Sequence, residues 1–134
     1  MKKDIIITLS ISALLLVVLM MQSARPADKN ITKENGMYVV NTTAIGKKIN
    51  GNAGNTPLKI YIKGEKIEKI EALVNQETPS FFAPVKKQLL NKWNGKTVKE
   101  AAKMKVDAIS GATLSSNAVI KNVQLGLEYY QKNK

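Results

Sequence analysis

The stretch LKIYIKGEKIEKIEAL, residues 58–73, sets the tightest limit on what this chain can build. Leu58, Ile60 and Ile62 alternate with Lys59, Tyr61 and Lys63, a period of two that suits a strand with one buried face. Gly64-Glu65 then turns the chain, and residues 67–73 resume an extended run. Ile67 and Ile70 are also spaced for a short helix, but so tight a turn favours a returning strand. An antiparallel hairpin is therefore the seed of the fold. MYVVNTTAI, residues 37–45, is rich in β-branched residues and reads as a further strand. The glycine- and asparagine-rich loop GKKINGNAGNTP separates it from the hairpin.

Helical periodicity begins after NQETPSFFAP. Pro84 suits the first turn of a helix whose apolar stripe is Val85, Leu89 and Trp93, with Leu90 alongside and Asn94-Gly95 as its end. Thr97 is placed to cap a short helix over residues 98–104. A final helix is expected over about residues 116–131, with Val119, Ile120, Val123, Leu127 and Tyr130 on one face. Asn117, Lys121 and Glu128 fall on the other. Trp93 and the pair Phe81-Phe82 are expected in the core, and Tyr129-Tyr130 either in the core or at a membrane surface. The fold class is α+β: a small antiparallel sheet covered by two or three helices, preceded by one N-terminal transmembrane or signal helix.

That first helix is read from residues 5–21, IIITLSISALLLVVLMM, seventeen residues without a charge. At about 1.5 Å per residue it reaches roughly 25 Å, slightly short of a hydrocarbon core. A cleaved signal peptide and an uncleaved signal anchor both fit. The absence of a clean small-x-small site in QSARPADKN favours the anchor, with Lys2 and Lys3 holding the N-terminus in the cytoplasm. The organisation expected is residues 1–24 as anchor or signal peptide, 25–35 as a polar tether, and 36–134 as one domain. The domain would lie on the extracytoplasmic side of the cytoplasmic membrane, or be secreted if the first segment is cleaved.

With no Cys and no His in the chain, disulfides, thiol catalysis, haem c attachment, lipid attachment to Cys and imidazole metal sites are excluded. The 21 Lys and Arg against 10 Asp and Glu give a net charge of +11, with the lysines spread along the domain. Such a surface attracts anionic headgroups or an anionic cofactor. Nucleic acid is not an expected partner, because aromatics are few and no recognition-module signature is present.

One stretch carries chemistry. In DAISGATLSS, residues 107–116, Gly111 permits positive φ and Ala112 removes bulk, while Ser110 and Thr113 bring hydroxyls to a helix entrance. Unpaired N–H groups and the positive end of the helix dipole favour an anion there. From the residues alone, a plain N-cap and a phosphate-holding turn are both open readings, and Asp107 can close an Asx-turn.

Asp107-Ala108-Ile109-Ser110-Gly111-Ala112-Thr113, followed by Leu114-Ser115-Ser116, resembles the flavinylation motif of the FMN-binding domain family. That family includes the FMN-carrying C and G subunits of Na+-translocating quinone reductase and Rnf complexes. Residues 57–79 are similar to its strand–turn–strand ending in Glu-Thr-Pro, and LLNKWNGK, residues 89–96, to the segment before its motif. Two departures stand out. Ser80 follows Pro79 where the family commonly has Gly, and Asn75-Gln76 precede Glu77 where it often has a nearby His. The resemblance implies FMN carried as a phosphoester on Thr113, attached by a Mg2+-dependent flavin transferase with FAD as donor. It implies that Asp107, Ser110, Gly111 and Ala112 form the recognised turn. Glu77 and Thr78 would lie near the flavin, with Leu114 as a packing contact. Without the family, Glu77 reads as a solvated loop carboxylate. The expected function is a membrane-anchored electron carrier between a membrane oxidoreductase and another donor or acceptor. The alternatives are a basic anchored module that holds an anionic ligand or lipid without flavin, and a catalytic flavin reductase.

Overall fold

The computed structural model describes residues 28–134, so the expected N-terminal helix lies outside the described residues. Strands β1 (Ile31–Glu34), β2 (Met37–Asn41), β3 (Leu58–Lys63) and β4 (Lys66–Ala72) form one antiparallel sheet in the order β1-β2-β3-β4. Helices α1 (Pro79–Gln88), α2 (Val98–Lys103) and α3 (Thr113–Asn133) complete an α+β domain, with a 3-10 turn at Leu90–Trp93 between the first two. No helix among the described residues is long and apolar enough to cross a membrane.

The expected hairpin forms over β3 and β4. Gly64 and Glu65 both take positive φ, 56° and 62°, the two-residue turn whose twist matches that of the flanking strands. The spacing of three between Ile67 and Ile70 has a specific cause. Ile60 faces Ile70 and Ile62 faces Ile67, so a bulge gives β4 one extra residue and returns both isoleucines to the buried face. The helix alternative is thereby ruled out.

Two expectations are corrected. Residues read as a tether include β1, which pairs with β2 from Ile31↔Val40 to Glu34↔Met37. It is an edge strand whose last three residues are exposed, so it carries no apolar period. Its turn, Asn35-Gly36 with φ of 51° and 76°, is the same kind as that of the second hairpin. Helix α1 begins at Pro79 rather than Pro84, which lies inside it. Pro79 supplies the fixed φ for a first turn, and the earlier start brings Phe82 into line with buried Val85 and Leu89.

The core lies between the sheet and α3. Leu58, Ile60, Ile62, Ile67 and Ile70 meet Val119, Val123, Leu127 and Tyr130, with Trp93, Leu89 and Val98 closing the side. Each fully buried aliphatic side chain contributes about 1.5–3 kcal/mol. Helix α3 approaches the sheet closely at Gly126, where a Cβ would stand 2.7 Å from Ile60 Cδ1. Buried Asn122 ties the helix to the loop before β3, its Nδ2 donating to Thr56 O at 3.1 Å and Thr56 Oγ1 at 3.2 Å. The helix is thus fixed in position over the sheet by a polar bond as well as by packing.

Candidate functional site

Helix α3 starts three residues earlier than the sequence suggests, at Thr113, with Ala112 in the capping position. No side chain caps it. The two serines of its first turn are engaged elsewhere. Ser116 Oγ accepts from Ile109 N at 3.0 Å, bracing the turn from below, and Ser115 Oγ donates to Glu77 Oε1 at 2.8 Å. Both serines are buried, whereas Thr113 is exposed. Gly111 has φ of 82°, and a Cβ there would meet nothing within 4 Å, so its backbone conformation rather than crowding requires glycine. The first N–H groups of a helix have no partner within it. Here they stay uncapped, beside an exposed threonine hydroxyl.

A cavity of about 330 Å3 opens at this point. Gly111, Ala112, Thr113, Leu114 and Ser115 form one side, and Asn52 and Phe81 complete the lining. Its volume sits at the lower end of the range for ligand pockets, roughly 300–1,000 Å3. Leu114 and Phe81 are 60% and 50% exposed, two large apolar side chains left in solvent beside the threonine. Phe81 therefore parts company with Trp93 and Phe82, which are in the core as expected.

Glu77 is not a solvated loop carboxylate. It is 5% exposed, and its oxygens accept from Asn52 N at 2.7 Å, from Ala53 N, and from Ser115 Oγ. Its own N–H donates to Asn75 Oδ1 at 3.0 Å. The loop between Gly51 and Gly54, closed by Gly51 N donating to Gly54 O at 2.8 Å, is thus folded onto the carboxylate. Glu77 lines a second cavity of about 390 Å3, with Val74, Phe82 and Lys86.

Of the residues singled out from the sequence, Gly111, Ala112, Thr113 and Leu114 come together around the cavity. Glu77 reaches it through Ser115. Asp107 and Ser110 are exposed in the approach to the turn, outside the lining, and Thr78 is exposed at the start of α1, where its carbonyl accepts from Phe81 N and Phe82 N. Asn52 and Ser115 were not foreseen. The two glycines around Asn52-Ala53 signalled a tight loop, but nothing local in the sequence pairs it with a carboxylate twenty-five residues away.

The residues fit an FMN phosphate at this point, on three observations: the uncapped helix entrance, the exposed Thr113 hydroxyl and the adjoining cavity with apolar walls. A family model described as FMN-binding domain matches residues 51–128. No curated protein and no solved structure matches the chain.

Proposed function

Because this chain belongs to the FMN-binding domain family, which supports FMN as its cofactor, we propose that it carries FMN covalently on Thr113 and serves as an electron carrier. The single observation that supports attachment is the start of α3: Thr113 is its first residue, exposed, with no side chain capping the helix. A phosphodiester there keeps one negative charge, which the free N–H groups and the dipole of α3 stabilise.

Transfer from FAD forms a bond between Thr113 Oγ and phosphorus, breaks the pyrophosphate, and frees AMP and the hydroxyl proton. A separate Mg2+-dependent flavin transferase would perform it. The bound flavin supplies the redox chemistry. The chain's own part is to position and to shield. Gly111 shapes the turn that presents Thr113, Ala112 keeps it free of bulk, and Leu114 and Phe81 give the cavity its apolar walls. The +11 charge supports the anionic cofactor at longer range. We further infer that residues 1–24 anchor the domain on the extracytoplasmic face of the membrane. Its electrons would pass between a membrane oxidoreductase and an acceptor outside the chain.

The experiment is co-expression with a flavin transferase, read by in-gel fluorescence and intact mass. One added FMN is expected on the wild-type chain and none on Thr113→Ala. Retention of FMN by that variant overturns the attachment site. Colourless wild-type protein that binds anionic vesicles would turn the reading toward a basic module without flavin.

A further inference from the structure

Glu77 is buried without a cation: no lysine or arginine lies within ion-pair distance of it among the described residues. Its three donors come from two separate parts of the chain, the loop at Asn52-Ala53 and the first turn of α3. Gly51 is what lets them meet, since a Cβ there would stand 1.9 Å from Glu77 Oε1. The loop is therefore drawn down onto the carboxylate by its backbone, and the exposed side chain of Asn52 is left as a wall of the Thr113 cavity.

We propose that Glu77 is a positioning residue and Asn52 the specificity residue it positions. The carboxylate clamps the loop to the entrance of α3, so that the Asn52 carboxamide is held ready to hydrogen-bond the polar edge of the flavin ring. This rests on the reading of Thr113 as the attachment point. The pyrimidine side of an isoalloxazine alternates carbonyl and N–H groups, and a carboxamide offers an acceptor and two donors to match. Phe81 and Leu114 offer only apolar contact, the Thr113 hydroxyl is taken by the phosphate and that of Ser115 by Glu77, which leaves the Asn52 carboxamide for the ring's polar edge. A carboxylate suits the clamp because all three groups facing it are donors. In Glu77→Gln either orientation of the amide sets an NH2 group against one of them.

The test has two arms, both on the full chain. In protein made without transferase, amide exchange at Asn52 and Ala53 should quicken about tenfold in Glu77→Gln, the effect of losing one hydrogen bond to the loop. Should that variant fail to fold, Ser115→Ala, which removes one donor, should quicken the same two amides. Exchange unchanged in a folded variant overturns the clamp. The second arm uses only molecules whose mass includes one FMN. Asn52→Ala and Ser115→Ala should each shift the flavin absorption maximum and midpoint potential in the same direction. The double variant should shift no further than Asn52→Ala alone, because Ser115 acts through Asn52. Ser115→Thr, which keeps the hydroxyl, should restore the wild-type spectrum. Additive shifts, or a silent Asn52→Ala, overturn the positioning. Wild-type protein that never gains FMN removes the ring-edge role together with the attachment, while the first arm still decides the clamp.

Discussion

Two helices of this domain begin in neighbouring parts of the chain and in opposite ways. Helix α2 is closed at its start: Thr97 Oγ1 accepts from Glu100 N at 3.1 Å and donates to Glu100 Oε1 at 3.0 Å. Helix α3 has four hydroxyl residues between positions 110 and 116 and no cap. The difference lies in what each helix depends on. Six residues cannot hold a helix without help at the end, so α2 keeps its threonine for itself. The 21 residues of α3 are held by a long apolar face, Val119, Val123, Leu127 and Tyr130, which frees its first turn for other work. A run of Ser and Thr before a helix thus indicates available hydroxyls, and the tertiary partners decide where they go.

This contrast is open to attack at both ends. The largest stability effect is expected at Ser116→Ala, which leaves the half-buried Ile109 N without its acceptor. The loss should be about 1–3 kcal/mol by urea unfolding. A loss below about 0.5 kcal/mol, the level of an ordinary surface change, would mean that the turn is not braced from below. Next comes Thr97→Ala, expected to cost about 1 kcal/mol while leaving FMN loading as in the wild type. Reduced loading there would break the separation between a structural start and a functional one. Thr113→Ala should show the reverse: stability within about 0.5 kcal/mol of the wild type and no FMN. The smallest effect concerns pH. Near α2, Glu65 accepts from Lys134 Nζ and from Tyr130 Oη, which hold its carboxyl below the usual 4.5. Because the folded value is the lower one, this contribution is complete above about 4.5 and fades as pH falls through the folded value. Acid titration of stability should therefore show a slope that Glu65→Gln removes.

The hairpin, the apolar face of α3 and the threonine at its entrance were legible in the sequence because each is a local pattern. The hairpin rests on alternation and a turn, and the helix face on a period of 3.6. β1 was hidden by its place at the edge, where three exposed residues leave no period to read, although Asn35-Gly36 carries a hairpin signal. The start of α1 was misplaced because two prolines both suit a first turn, and only the burial of Phe82 selects Pro79. At the site, the sequence supplied the cavity's threonine side and not its opposite wall. Burial of Glu77 depends on a glycine loop twenty-five residues upstream and on Ser115 thirty-eight residues downstream, contacts that no local period encodes.

The pairing of Tyr129 with Asp28 at 2.7 Å, and with Asn30 at 3.2 Å, fixes where the chain enters the domain. Tyr129 and Thr113 stand on one helix, separated by about 24 Å at a rise of about 1.5 Å per residue. The domain is therefore built like a beam held at both ends. Its longest beam is seated on the sheet along its length, tied to the incoming chain near one end and braced at the other, where Thr113 is left exposed.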